Sequence, residues 1–245
     1  MTLMEHLLEL RRRIIFSCVA VGVAAIAGWF LYPTVFSFLL HPYREIASRS
    51  IAGGNLLVTS PLEGFAIRLK LTAYVAIALA MPVILWQIWQ FVSPGLYRHE
   101  RRYALPFVAS SIVLFIMGAS IAYWTLPKAL AWLADIGGSD ITQAYTADKY
   151  FQLIAYMMLA FGIGFEFPIL LIFLQMAGIV KTETLRKYWR HAIVVIAIVV
   201  AVATPSNDPF SMLALSVPLW LFYGVALVFG SVRDRRRRRA AAKTR

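Results

Sequence analysis

Repeated apolar stretches, each long enough to cross a membrane as a helix, constrain the fold of this chain more than any other feature. The hydrocarbon core of a bilayer requires about 20 residues of apolar helix. Of the 245 residues, 60% are hydrophobic and only 15% are charged, and the mean hydropathy is +0.71. Because a soluble domain of this size could not cover so much apolar surface, the sequence predicts an all-α, polytopic membrane protein.

Six membrane-spanning helices are predicted from these stretches. They cover approximately residues 14–32, 71–92, 105–126, 151–176, 191–203 and 210–230. The connector between the first and second spans is predicted to be broken at Pro33, Pro42 and Pro61. The connector between the third and fourth spans is predicted to hold a short interfacial helix near Pro127–Ala134 with Trp132 at headgroup level. Residues 1–232 form one integral domain in this interpretation, and residues 233–245 form a basic, disordered tail.

The basic residues are distributed unevenly between the two sides of the membrane. An even number of spans places both termini on one side, and that side carries 18 of the 24 Lys and Arg residues. The positive-inside rule therefore predicts that both termini are cytoplasmic. The segment Arg233–Arg239, which has six arginines and Asp234, contributes +5 to the net charge of +12. We expect it to bind anionic lipid at about 1 kcal/mol per charge, and a nucleic-acid partner is not needed to explain it.

Sequence motifs give no support to an enzyme. Rhomboid-type Gly-x-Ser-x-Gly, metal-binding His-Glu-x-x-His and a Walker-type glycine loop are all absent from the sequence. The single cysteine, Cys18, rules out a disulfide framework and a thiolate metal site. No metal and no cofactor are predicted.

Glu166 is the most informative single residue, because it lies in the middle of the fourth apolar stretch. A carboxyl group near the bilayer midplane costs about 2.5–3.5 kcal/mol even on lenient insertion scales. One interpretation is structural: a protonated glutamate that is hydrogen-bonded to a neighbouring helix. The other is functional: a polar site for a partner or substrate, including the proton or cation site of a small-solute transporter.

Two further glutamates are predicted to lie at the cytoplasmic surface. Glu9 belongs to an amphipathic N-terminal helix and is spaced to pair with Arg13, and Glu100 lies among arginines in the loop after the second span. Each therefore has a local ion pair as its simplest interpretation. Together, two carboxylates could also receive two guanidinium groups, since arginine bonds carboxylates through a planar fork that lysine lacks.

The last pair of spans is predicted to form a short hairpin. Its first helix has about 13 residues, or roughly 20 Å, against about 30 Å of hydrocarbon. Thr204-Pro205 and Asp208-Pro209 match a helix stop followed by a helix start. We expect such a hairpin to thin the bilayer locally.

Four motifs, in order along the chain, resemble those of the TatC family, the core subunits of twin-arginine translocases. They are His6-Leu-Leu-Glu-Leu-Arg11, Phe91-Val-Ser-Pro-Gly-Leu-Tyr-Arg-His-Glu-Arg-Arg102, Phe161-Gly-Ile-Gly-Phe-Glu-Phe-Pro168 and Thr204-Pro-Ser-Asn-Asp-Pro-Phe-Ser211. The resemblance implies a concave six-helix bundle with cytoplasmic termini in the plasma (inner) membrane of a prokaryote. It also implies export of folded proteins, driven by the proton-motive force.

The resemblance assigns three groups of residues. Those implied to bind the twin-arginine signal peptide are Glu9, Arg11, Phe91, Leu96, Tyr97, Glu100, Arg101 and Arg102. Glu166 corresponds to a polar group that faces the hollow of the bundle. Those implied to dock the single-span partners TatA and TatB are Thr204, Asp208, Ser211 and Met212, where Met212 replaces a polar residue of relatives. Other copies of the chain are expected as further partners.

Overall fold

Eight helices account for nearly all of the described chain. A computed structural model describes residues 3–46, 56–92, 104–136, 145–176, 178–204 and 208–243. In chain order the helices are α1 Leu3–Ile46, α2 Glu63–Val92, α3 Ala104–Ile136, α4 Ala147–Gly164, α5 Phe167–Met176, α6 Thr182–Lys187, α7 Trp189–Ala203 and α8 Pro209–Lys243. Among the described residues, five helical segments are long and apolar enough to span a membrane, and α7 is a shorter apolar helix. The predicted all-α, polytopic fold is confirmed, and these five segments together with α7 correspond to the six predicted spans.

The helices pass each other so that the bundle has two distinct ends. At one end, the start of α1 contacts the end of α2, and the end of α5 contacts the end of α8; we call this the basic end. At the other, the far end, the second half of α1 contacts α4, and residue 57 pairs with residue 146. The largest hydrophobic core lies towards the far end around Tyr43, Tyr150 and Phe151, whose exposed fractions are at most 2%.

Helix α1 does not stop at its prolines, and the predicted breaks at Pro33 and Pro42 are wrong. A proline removes the N–H that would bond the carbonyl four residues earlier, which leaves the carbonyls of Trp29 and Phe38 without that donor. Arg68 Nη2 donates to Trp29 O at 3.4 Å, and Tyr123 Oη donates to Phe38 O at 3.1 Å. Neighbouring helices thus replace the missing donors, which is how membrane helices tolerate proline.

Helix α3 likewise continues through Pro127 to Ile136, so the separate interfacial helix predicted near Pro127–Ala134 is part of α3. Trp132 packs edge-on against Phe210 at the start of α8, with ring centroids 6.3 Å apart. The packing of Ala129 and Leu130 in the protein interior, with exposed fractions of 0% and 2%, extends the helix beyond the apolar span.

Two further elements differ from prediction. The fourth span is interrupted by a turn at Phe165–Glu166 between α4 and α5, because Pro168 has no N–H to donate to the carbonyl of Gly164. The second difference is at the C-terminus, where a disordered tail was predicted but α8 continues to Lys243. Arginine and alanine are good helix formers, and no proline or glycine follows Gly230 to end the helix.

Candidate functional site

A polar cluster at the basic end joins α1 to α2 around Glu9. Arg13 Nη2 donates to Glu9 Oε1 at 3.0 Å, while Arg13 Nη1 donates to Gln87 Oε1 at 3.0 Å and also to Gln90 Oε1. The Glu9 and Arg13 side chains are only 18% and 24% exposed. The predicted local pair of Glu9 with Arg13 is confirmed, and it is part of a larger network that crosses between two helices.

Aromatic packing supports the same contact. The rings of His6 and Phe91 stack with their centroids 4.5 Å apart, so the start of α1 lies against the last turn of α2. Of the residues assigned to signal-peptide binding, the structure therefore brings Glu9 and Phe91 to the same end of the bundle, and Arg11 lies exposed on α1. The others, Leu96, Tyr97, Glu100, Arg101 and Arg102, lie outside the described residues.

Sequence reasoning missed Gln87 and Gln90. They are three residues apart and therefore share one face of α2, which is the available signal. Two amide side chains on one face of an otherwise apolar helix end indicate a polar neighbour, because a buried amide requires hydrogen bonds. That neighbour, Arg13, becomes evident only from the tertiary contact.

Glu166 lies in the turn between α4 and α5, in the middle of the bundle. Its backbone is satisfied, since its N–H donates to Ile163 O and its carbonyl accepts from Leu170 N, both at 3.0 Å. Ser111 of α3 is the neighbouring polar side chain. Neither Glu166 Oε1 nor Ser111 Oγ has a hydrogen-bond partner among the described residues, although both atoms are buried. A buried carboxylate oxygen and a buried hydroxyl without hydrogen-bond partners are costly inside a membrane, and both are available to an incoming polar group.

Close helix packing fixes the position of this turn. A Cβ placed on Gly118 of α3 would lie 2.5 Å from the carbonyl oxygen of Phe161, and one on Gly162 of α4 would lie 2.6 Å from the Phe115 ring. Only glycine permits the two helices to approach this closely, as small residues do at membrane helix interfaces. The contact places α3 directly beside the α4–α5 turn.

The hairpin of α7 and α8 gives structural roles to the residues assigned to partner docking. Asp208 Oδ1 accepts from Ser211 N–H at 2.7 Å as the cap of α8, and Thr204 Oγ1 donates to Val200 O at 2.9 Å at the end of α7. The helix stop and start predicted from sequence are confirmed. Thr204, Asp208 and Ser211 are at most 1% exposed, and Met212 packs, half-buried, against the main core.

The far end is held together by Glu63, another residue that sequence reasoning did not single out. Its Oε2 accepts from Thr59 N–H at 2.6 Å and from Ser60 N–H at 3.3 Å, which caps its own helix α2. Its Oε1 accepts from Asp148 N–H at 3.0 Å, which caps the start of α4. Lys70 Nζ adds an ion pair to Asp148 Oδ1 at 2.7 Å. The Glu63 carboxylate therefore accepts hydrogen bonds at the starts of both α2 and α4, and it links the two connectors at the far end.

The surface of the basic end also contains a groove between α6 and α8. It has a volume of about 320 Å³ and is lined by Arg186, Leu227, Val228, Ser231, Val232 and Arg235. Arginines from two elements thus line one groove together with apolar side chains of α8. As for metal ions, the described residues include no cluster of three or more His, Cys, Asp or Glu side chains that could hold one.

Comparison with known proteins agrees with this architecture. The family model described as Sec-independent protein translocase protein (TatC) matches residues 5–218. A Sec-independent protein translocase protein TatC of Frankia casuarinae is 40% identical over 244 residues, which cover 96% of this chain and 67% of the relative. Its counterpart from Aquifex aeolicus is 34% identical over 241 residues, which cover 97% and 98%.

A solved structure gives the same result for the fold. The crystal structure of a twin-arginine translocase receptor TatC in the detergent DDM superposes with a TM-score of 0.79 at 34% identity, over 92% of this chain and 99% of that one. The chain therefore belongs to the TatC family of Sec-independent protein translocase proteins, and it is a multi-pass membrane subunit of a translocase rather than an enzyme.

Proposed function

We propose that this chain is the core receptor subunit of a twin-arginine translocase, which binds the twin-arginine signal peptide of folded proteins at its basic end. The observation that carries this proposal is the half-buried Glu9 carboxylate, which is already bonded to a guanidinium group of the chain itself at 3.0 Å. A carboxylate in this setting is suited to recognising arginine, because the bonds are planar and charge-assisted. Glu100 is the second carboxylate of the proposed site.

The orientation of the chain follows the same proposal. Both termini face the cytoplasm of a prokaryotic cell, and the protein lies in its plasma membrane, because the basic end carries most of the Lys and Arg residues. The signal peptide would therefore meet Glu9 and Phe91 from the side where proteins are made. Arg11, Leu96, Tyr97, Arg101 and Arg102 complete the proposed binding surface.

Peptide binding tests this function directly. A synthetic twin-arginine signal peptide and its twin-lysine counterpart would be titrated against the purified chain, its Glu9→Gln/Glu100→Gln variant, and a Glu5→Gln variant as the matched control. We expect the arginine peptide to bind more tightly, and the double variant, but not the control, to lose this preference. Equal binding of both peptides to the unaltered chain would refute the proposal.

Assembly with TatA- and TatB-type subunits is the second part of the proposed function. Glu166 Oε1 and Ser111 Oγ are buried and have no hydrogen-bond partner among the described residues, and a polar residue on a partner helix would satisfy them. The hairpin offers an apolar surface for the same helices, with Val195, Ile198 and Val202 of α7 at least 56% exposed. Thr204, Asp208 and Ser211, which the chain itself covers, and the half-buried Met212 would support this surface from inside the protein.

A crosslinking experiment tests the proposed contact at Glu166. Replacing Glu166 with Ala should weaken crosslinks to the partner subunits and reduce export, while the Ser110→Ala variant, which alters an exposed hydroxyl on α3, should leave both unchanged. Full crosslinking and export by the Glu166→Ala variant would contradict the role given to Glu166. The alternative of a small-solute transporter rests on Glu166 alone, and membership of a protein translocase family weighs against it.

The membrane itself is the third proposed partner. Helix α7 has 15 residues, or about 22 Å, so this helix of the hairpin is shorter than the hydrocarbon core and would thin the bilayer where cargo crosses. At the basic end, the groove between Arg186 and Arg235 fits the phosphate of an anionic lipid, with an acyl chain along Leu227 and Val228. Export would be driven by the proton-motive force, and further copies of the chain would take part in the assembly.

A further inference from the structure

We infer that Arg13 is a positioning residue that sets the arginine selectivity of Glu9. The inference rests on the proposed recognition of arginine-bearing signal peptides at Glu9. In this arrangement Arg13 determines the orientation of the Glu9 carboxylate, and Gln87 and Gln90 hold Arg13 in place.

The geometry fixes the Arg13 guanidinium from two directions. Its Nη1 donates to the side-chain oxygens of both Gln87 and Gln90 on α2, and its Nη2 donates to Glu9 Oε1 at 3.0 Å, one turn earlier on α1. Because a guanidinium group is planar and rigid, two acceptors on a neighbouring helix determine the plane in which Nη2 points. The Glu9 carboxylate is therefore held by a donor that is itself immobilised.

The carboxylate keeps capacity for a second guanidinium group. An ionised carboxylate offers about four lone-pair sites on two oxygens, and the bond to Arg13 uses one of them. Glu9 Oε2 is buried and has no hydrogen-bond partner among the described residues. A donor from a bound peptide would satisfy this oxygen while Arg13 keeps the other, so that Glu9 would lie between two arginines, one from each chain.

The fixed orientation of the Glu9 carboxylate matters more for binding a peptide arginine than for binding a peptide lysine. A guanidinium group needs the carboxylate in its own plane for a two-point contact, whereas an ammonium group is a point charge that accepts many directions. If Arg13 no longer fixes the carboxylate, the arginine peptide loses an aligned hydrogen bond, but the lysine peptide loses little. A role limited to holding α1 against α2 would weaken both peptides alike, so the ratio of the two affinities distinguishes the roles.

The test compares the affinities of twin-arginine and twin-lysine peptides for Arg13→Gln and Arg12→Gln. Arg12 is the matched control, because it is an exposed neighbour whose guanidinium group lies over the Phe16 ring at 5.7 Å, and its loss removes the same charge from the same helix. We expect Arg13→Gln to reduce the arginine-to-lysine affinity ratio about tenfold, the effect of one charge-assisted hydrogen bond. Arg12→Gln should leave that ratio unchanged.

A second variant keeps every charge in place. Gln87→Ala/Gln90→Ala retains the Glu9–Arg13 pair but frees the guanidinium plane, and it should reduce the same ratio in the same direction. Circular dichroism and gel filtration would establish that each variant is folded. An unchanged ratio in either folded variant would overturn the inference. If the unaltered chain itself shows no preference for arginine, the proposed function fails instead, so the two failures are distinguishable.

Discussion

The contact between α3 and α4 leads to a sharp prediction, because it depends on a single missing side chain. In a Gly118→Ala variant, the new Cβ would lie 2.5 Å from the carbonyl oxygen and 2.9 Å from the carbonyl carbon of Phe161. Ordinary contacts of a Cβ begin near 3.4 Å. The obstructing atoms belong to the backbone of α4, so no side-chain rotation can relieve the overlap, and the two helices must separate by almost 1 Å.

The magnitude follows from two opposing terms. Overpacking of a close-packed interior costs about 1–3 kcal/mol, and sometimes more, whereas replacing glycine with alanine inside a helix returns about 1 kcal/mol. Gly22→Ala on α1 should show only the gain in helix propensity, because no atom lies within 4 Å of the added Cβ. The difference between the two variants should therefore equal the overpacking cost of about 1–3 kcal/mol.

Thermal unfolding in detergent, followed by circular dichroism at the helix band, measures this difference. For a chain of this size about 1 kcal/mol corresponds to about 2–4 °C in Tm, so Gly118→Ala should melt roughly 2–12 °C below Gly22→Ala. A Tm for Gly118→Ala that equals or exceeds that of Gly22→Ala would refute the reasoning, since it would mean that the α3–α4 interface can expand without cost.

Three further predictions concern the ends of the helices and the lipid groove. Asp208→Ala should destabilise the chain by about 1–2 kcal/mol through loss of the α8 cap, whereas Asp208→Asn, which keeps an acceptor, should cost less; equal Tm values for the two would contradict the capping role. Glu63→Ala should lower Tm more than Glu63→Gln, and should speed hydrogen exchange at the starts of both α2 and α4; a change confined to α2 would show that the Asp148 contact is unimportant. Arg186→Gln/Arg235→Gln should reduce co-purification of anionic phospholipid in native mass spectrometry, relative to Arg190→Gln, and equal lipid content would argue against the groove.

The fold was largely predictable from the sequence, because helix-length apolar stretches have few alternatives in a bilayer. The polar caps at Asp208 and Thr204 were predictable for the same local reason: a helix end leaves backbone groups that nearby side chains can satisfy. The path of α1 was not predictable. Whether Pro33 breaks a helix depends on whether another helix supplies a donor for the carbonyl that it leaves unpaired, and Arg68 is 35 positions away in the sequence.

The candidate site also has features that the sequence predicts and features that only the tertiary structure shows. The sequence by itself determined that Glu166 lies at membrane depth, and that Glu9 is spaced for a pair with Arg13, since both follow from helix length and periodicity. Only the tertiary structure decided that Gln87 and Gln90 hold Arg13, that Gly118 brings Ser111 beside the Glu166 turn, and that Glu63 caps two helices at once. The physical reason is that spans and local pairs depend on neighbours along the chain, whereas a buried polar group is satisfied by whichever helix packs against it.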